Sequence, residues 1–223
     1  ELDFCNAAIS MYERIENPDY EDKCGMYECL HRKTTIHLTP ESATSEGAKY
    51  KEIANREQIL HMLSRELIEI AKEIDRPGPY QGHVRGAYGY LTDPRNTGPS
   101  IEEKIGATKE ILESWKEELT DEGPEDSDAH ISGWGSYYLY ETSRKLEGFY
   151  ETIGDEAQAK KYNEEADQHL SNISLAEVKE MLLLQKAKAE AWGYRPWLIG
   201  HLISQEMADE LQVVMDRLRR EEE

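Results

Sequence analysis

IANREQILHMLSRELIEIAKEID, residues 53–75, decides the fold class. Ile53, Leu60, Leu63, Leu67, Ile70 and Ile74 recur at sevens, threes and fours, the period of one helix face. Arg56 interrupts this seam. Ile59, Met62 and Ile68 widen it beyond the narrow stripe of a coiled coil, so the spacing predicts a helix packed into a globule. Asp75 ends the helix, because Arg76-Pro77-Gly78-Pro79 follows and a proline pushes the residue before it out of the helical region.

The same period extends in both directions. Upstream, Cys5, Ala8, Ile9, Tyr12 and Ile15 share one face of a first helix that stops at Asn17-Pro18. A second helix covers Tyr20 to Lys33. The β-branched run Thr34-Thr35-Ile36-His37-Leu38 reads as an extended connector leading to Pro40. Downstream, Ser100-Ile-Glu-Glu103 is a capping box, opening a helix on Ile105, Leu112 and Trp115. Residues 120–130 (TDEGPEDSDAH) read as an acidic linker. A tyrosine-rich helix starts near Trp134, turns at Gly154-Asp155, and is followed by a helix on Ala159, Tyr162, Ala166 and Leu170. Ser174-Leu-Ala-Glu177 is a second capping box, for a helix to about Trp192. Gly193-Tyr194-Arg195-Pro196 breaks the chain, and a last helix runs to about Arg220 with Pro196 at its start. The expectation is an all-α fold of about eight helices, an antiparallel bundle or hairpin array, with one long irregular loop. We read 1–223 as a single domain, divisible into helices at 1–75, the loop at 76–99 and a helical part at 100–223.

That loop, RPGPYQGHVRGAYGYLTDPRNTGP, holds four of the chain's eight prolines and five of its fifteen glycines. Its net charge is about +2 in a chain of formal charge −20. Long structureless connections are functional more often than short ones, and tyrosine and arginine are the residue types enriched at binding hot spots. Tyr80, His83, Arg85, Tyr88, Tyr90 and Arg95 are therefore the candidate partner-binding residues, with Arg85 and Arg95 able to clamp a carboxylate or phosphate in two-pronged fashion.

Composition bounds the partners. Acids outnumber bases 46 to 26, so the chain as a whole repels nucleic acid and anionic membranes and favours basic partners or plain solubility. No apolar run approaches the ~20 residues of a membrane span. There is no signal peptide, although the chain begins with Glu rather than Met, and the expected location is the cytoplasm. Cys5, Cys24 and Cys29 are too few and too odd for a disulfide framework. Cys24, Cys29 and His31 look like the start of a metal site, but no second pair follows at zinc spacing, so neither metal nor cofactor is expected.

Residues 143–171 resemble one tetratricopeptide unit. Leu146, Tyr150, Gly154, Ala159 and Ala166 occupy its leucine, tyrosine, turn-glycine and small-residue positions. Ser143, Glu147 and Ser171 depart from the tryptophan, glycine and proline common there, and no second copy lies 34 residues to either side. The resemblance implies a packed helical hairpin and, faintly, protein–protein binding.

Catalytic patterns are sparse. Arg56…His61 and Arg195…His201 fall within the arginine–histidine spacing of helical ribonucleases of the HEPN type. Glu57…His61 and Glu165…His169 are i, i+4 pairs that could share a metal, yet the Glu-x-x-His of helical di-metal proteins is missing. No nucleophile elbow, phosphate loop or His-Glu-x-x-His occurs, and no catalytic residue is assigned. The leading expectation is a non-enzymatic protein that binds other chains, through self-association or as an assembly subunit. The rivals are a metal-dependent or ribonuclease-like helical hydrolase and a helical sensor domain of a larger receptor.

Overall fold

The computed structural model describes residues 2–38, 56–75, 82–93, 96–120, 130–192 and 199–222. Among these the regular structure is all helix: α1 (Leu2–Tyr12), α2 (Tyr20–Leu38), α3 (Arg56–Asp75), α4 (Gly82–Thr92), α5 (Ile101–Thr120), α6 (His130–Thr152), α7 (Glu156–Leu170), α8 (Leu175–Trp192) and α9 (Ile199–Glu222). Each helix from α1 to α7 packs against its neighbours in sequence. α8 pairs with α9, and α6 also touches α8. The result is a serial array of antiparallel helices. The 120–130 linker and the Gly193–Pro196 break fall largely outside the described residues.

Three core clusters run along the array. The first joins Leu30 of α2, Leu63 and Leu67 of α3, and Ala87 and Leu91 of α4. The second joins Leu112 of α5, Leu139 and Leu146 of α6, and Tyr162 of α7. The third joins Tyr137 of α6 to Val178 and Met181 of α8 and Leu211 of α9. α3 buries its seam as its spacing predicts, with Leu63 and Leu67 almost fully enclosed. Met62 does not widen the buried face; it is exposed.

Two readings are corrected. Thr34–Leu38 is not an extended connector but the last turns of α2, with Thr34 and Leu38 buried. Burial outweighs the modest helix penalty of β-branched residues, and the Thr34 hydroxyl donates back to the Leu30 carbonyl at 2.8 Å. The 76–99 stretch is not irregular throughout, because 82–92 is helix α4. Asp75, the last residue of α3, organises its start: one carboxylate oxygen accepts the Val84 amide at 2.9 Å and the other meets His83 Nδ1 at 2.7 Å. This supplies the N-terminal amide partner that a helix needs. Gly86 and Gly89 face solvent, while Ala87 and Leu91 face the core.

Both predicted capping boxes form. Ser100 Oγ accepts the Glu103 amide at 3.2 Å and Glu103 Oε2 accepts the Ser100 amide at 2.9 Å. Ser174 and Glu177 repeat the arrangement. Asp19 and Asp22 form a third reciprocal cap at the start of α2. Glu103 also ties α5 to α3, where its other oxygen meets Arg65 and lies 3.3 Å from His61 Nε2. The Ser100 amide first, then Arg65, hold its carboxyl down at about 2.

A pH dependence follows from Glu103 and from His31. Burial between α2 and α4 pushes His31 below its ordinary range, against a smaller opposing effect of Glu28. A depressed histidine leaves stability intact above its unfolded pKa of about 6.5; as pH falls below that value the unfolded chain takes up the proton that the fold resists, and stability declines until the lower folded pKa is passed. Glu103, ordinarily near 4.5, adds a second loss as pH falls from there towards about 2. Urea unfolding between pH 7 and 3 should show stability declining in both windows. Burial lowers His169 as it does His31, and Ser174 lowers Glu177 in the window of Glu103, so His31→Gln should flatten part of the first decline and Glu103→Gln part of the second; profiles unchanged in both variants would contradict these assignments.

Candidate functional site

Sequence reading places a contact surface on 76–99. The structure divides its described members between two internal networks. In the first, between α2, α3 and α4, Asp75 holds His83, whose backbone carbonyl accepts the Tyr27 hydroxyl at 3.2 Å. The Tyr27 ring meets the His83 ring edge-on at 4.8 Å. Tyr90 reaches back to α2, its hydroxyl 2.8 Å from His31 Nε2 and 2.7 Å from Thr35 Oγ1. Burial drives the Tyr27 phenol strongly upward, so it stays protonated as a donor.

In the second network Arg85 is 8% exposed, too buried to clamp a partner. Its Nη1 donates to Ser114 Oγ at 3.0 Å and pairs with Glu118 Oε2 at 2.5 Å. Its guanidinium lies 3.8 Å from the Trp115 ring centroid, and Trp115 stacks on Tyr138 of α6 at 4.6 Å. The stack links α4, α5 and α6. Tyr88 is half-buried, with Lys72 of α3 over its ring. Tyr80 and Arg95 lie outside the described residues.

The other candidate pairs are drawn into the architecture as well. His61 turns to Glu103 on α5. Glu165 is bound by Lys116 of α5 at 2.8 Å and lies 3.7 Å from His169. The side chains of Arg56, Arg195 and His201 lie outside the description. Cys5, Cys24 and Cys29 are free thiols. Among the described residues no three histidine, cysteine, aspartate or glutamate side chains gather closely enough to hold a metal ion, and no helix is long and apolar enough to cross a membrane.

Among the described residues, two clefts open on the outer surface. One lies at the α6–α7 hairpin that resembles a tetratricopeptide unit. It has a volume of about 580 Å³ and is lined by Glu147, Glu151, Glu156, Lys160 and Asn163. Glu147 stands where that pattern has glycine. It is buried, paired with Arg144, and accepts Asn163 Nδ2 at 2.5 Å. This departure from the pattern therefore contributes a cross-helix tie.

The second cleft, of about 410 Å³, runs between α6 and α9. α6 contributes Tyr137, Tyr140, Glu141, Arg144 and Lys145; α9 contributes Glu210, Val213 and Val214. Tyr137 is buried in its floor and its hydroxyl donates to Glu210 Oε2 at 3.4 Å. Val213 stands on the lip, 66% exposed. Lys145 pairs with Glu141 at 2.6 Å along α6. The cleft thus offers aromatic and aliphatic surface with paired charges around it. The Tyr137-Tyr138-Leu139-Tyr140 run was visible in the sequence, but α9 meets it only some seventy residues later, so the cleft itself was not. Comparison with protein-family models, with curated proteins and with solved structures finds no match to this chain.

Proposed function

We propose that this chain is a non-enzymatic helical binding protein, a subunit that holds another polypeptide in the cleft between α6 and α9. The observation that carries this reading is the cleft itself. Tyr140 and Val213 supply apolar contact above the buried Tyr137 and Val214, and Glu141, Glu210, Arg144 and Lys145 place charges of both signs around it. Aromatic side chains at the centre of a desolvated groove supply most of the energy of such contacts. The acidic chain steers basic segments toward it. His83, Arg85, Tyr88 and Tyr90 support this function indirectly, by fixing the first helices onto α5 and α6.

Affinity capture from the native host with mass spectrometry, run in parallel on the native protein and a Tyr140→Ala/Val213→Glu variant, tests the reading. Both positions are at least partly exposed, so the helical content should be unchanged. The variant should lose at least about tenfold of the partner retained by the native protein, since two groove contacts of 1–2 kcal/mol each are removed. Equal retention by the two proteins would rule out the cleft as the binding surface.

A further inference from the structure

Cysteines stand on both facing sides of the α1–α2 hairpin. On α1, Cys5, Ile9 and Tyr12 share one face at i, i+4 and i+7, and Cys5 and Ile9 are the buried residues of that helix. On α2, Gly25 and Cys29 are one turn apart, on the side that turns to α1: a Cβ on Gly25 would overlap the Tyr12 hydroxyl. The missing Cβ lets the two helices approach closely. A helical side chain leans toward the N-terminus of its own helix, so the Tyr12 ring reaches back about one turn, to the level of Ile9. Ile9 is thereby level with Gly25. One turn further from the connection, on both arms of the antiparallel pair, Cys5 is level with Cys29. Burial first, and the neighbouring Cys5 second, push the Cys29 thiol up. Cys24 faces elsewhere. It shares the side of α2 that carries Tyr27 and His31, which meet His83 and Tyr90 of α4.

We propose that Cys5 and Cys29 form a reversible disulfide that clasps α1 to α2. Both are free thiols in this structure. The oxidant is a small-molecule disulfide of the glutathione class. Cys29 is only partly buried and reacts first. Its thiolate attacks one glutathione sulfur, forms a mixed disulfide and expels a glutathione thiolate. Cys5 is 1% exposed, closed to a bulky oxidant but facing Cys29. Its thiolate attacks the Cys29 sulfur and expels the second glutathione thiolate, and the two cysteine protons end on the two glutathiones. Two thiols are oxidised and one glutathione disulfide is reduced. Helix axes 8–10 Å apart, with Cα atoms ~2.3 Å from each axis, put facing Cα atoms roughly 4–6 Å apart, inside the ~7 Å that a disulfide spans. The bond acts chiefly on α1, which buries two residues. By closing the loop from Cys5 to Cys29 it removes states in which that helix has come away. The inference makes no use of the α6–α9 cleft.

The test is peptide mapping of the native full chain after incubation with oxidised glutathione. Digestion after glutamate, without reductant, separates Cys24 from Cys29 at Glu28. A cross-link between the Cys5 and Cys29 peptides should form within the monomer and disappear on reduction. The order of attack predicts opposite outcomes for two variants. Cys5→Ser should stop with one glutathione on Cys29, whereas Cys29→Ser should leave Cys5 unmodified. In the native chain the amides of Ala7 to Met11 should exchange at least tenfold more slowly after oxidation, while those in the middle of α5 stay as they were. The proposal is overturned by the absence of an intramolecular Cys5–Cys29 bond, by a bond that involves Cys24 instead, by glutathione on Cys5 in the Cys29→Ser chain, or by equal α1 exchange in the two forms.

Discussion

Arg85→Ala should destabilise the protein by about 3 kcal/mol, the low end of the cost of removing one partner from a buried ion pair. The low end applies because Glu118 keeps 27% of its side chain exposed and is partly hydrated once abandoned. Three contacts disappear together: the ion pair to Glu118, the hydrogen bond to Ser114 and the stacking on Trp115. Truncation also leaves a space beside Trp115, where the guanidinium had packed on the ring. Arg85→Lys should recover only part of the loss, because an ammonium cannot stack flat on an indole while bonding in two directions. Denaturant unfolding of the two variants, with Glu118→Gln and the double variant completing the cycle, measures the coupling. A loss below about 1 kcal/mol for Arg85→Ala would mean that the guanidinium is solvated and the α4–α5–α6 stack is not formed.

That variant matters because Arg85 looks in the sequence like a ligand-binding residue. A lone arginine among glycines and tyrosines, in an acidic chain, carries the composition of a contact surface. The same composition serves a helix wedged between acidic neighbours. What distinguishes the two is a spacing that glycine hides: Val84, Ala87, Tyr88 and Leu91 already follow the helical period, and Gly82, Gly86 and Gly89 fall together on another face. The decisive contact, Asp75 reaching the amide of Val84, spans nine residues across a proline-broken stretch and leaves no local signature.

Elsewhere legibility follows how local the physics is. The seam of α3, the capping boxes at Ser100–Glu103 and Ser174–Glu177, and the turn at Gly154 depend on residues a few positions apart. Gly154 takes φ +75, the left-handed conformation that glycine adopts without steric cost. Thr34 and Ile36 mislead because an intrinsic strand preference of a few tenths of a kcal/mol is small beside burial against α3 and α4. Met62 misleads for the opposite reason, since the helix period widens a stripe without saying where the neighbouring helix ends. The α6–α9 cleft is the least legible of all. Its tyrosines are conspicuous, but which of them line a groove depends on how α8 turns α9 back across α6.

The central claim is that the glycine- and tyrosine-rich segment is a structural helix inside the array, with 82–92 forming α4. Native-state hydrogen exchange tests it most directly, in the free protein and without knowledge of any ligand. Amides that open only with the surrounding core exchange slowly, whereas those of a display loop exchange at nearly the unstructured rate. The amides of Gly86 to Leu91 should be slowed about a thousandfold or more, equivalent to about 4 kcal/mol of opening free energy, and should match those in the middle of α3 and α5. Exchange of Gly86–Leu91 at the free-peptide rate, while α3 and α5 stay protected, would contradict the account and return the contact surface to this segment.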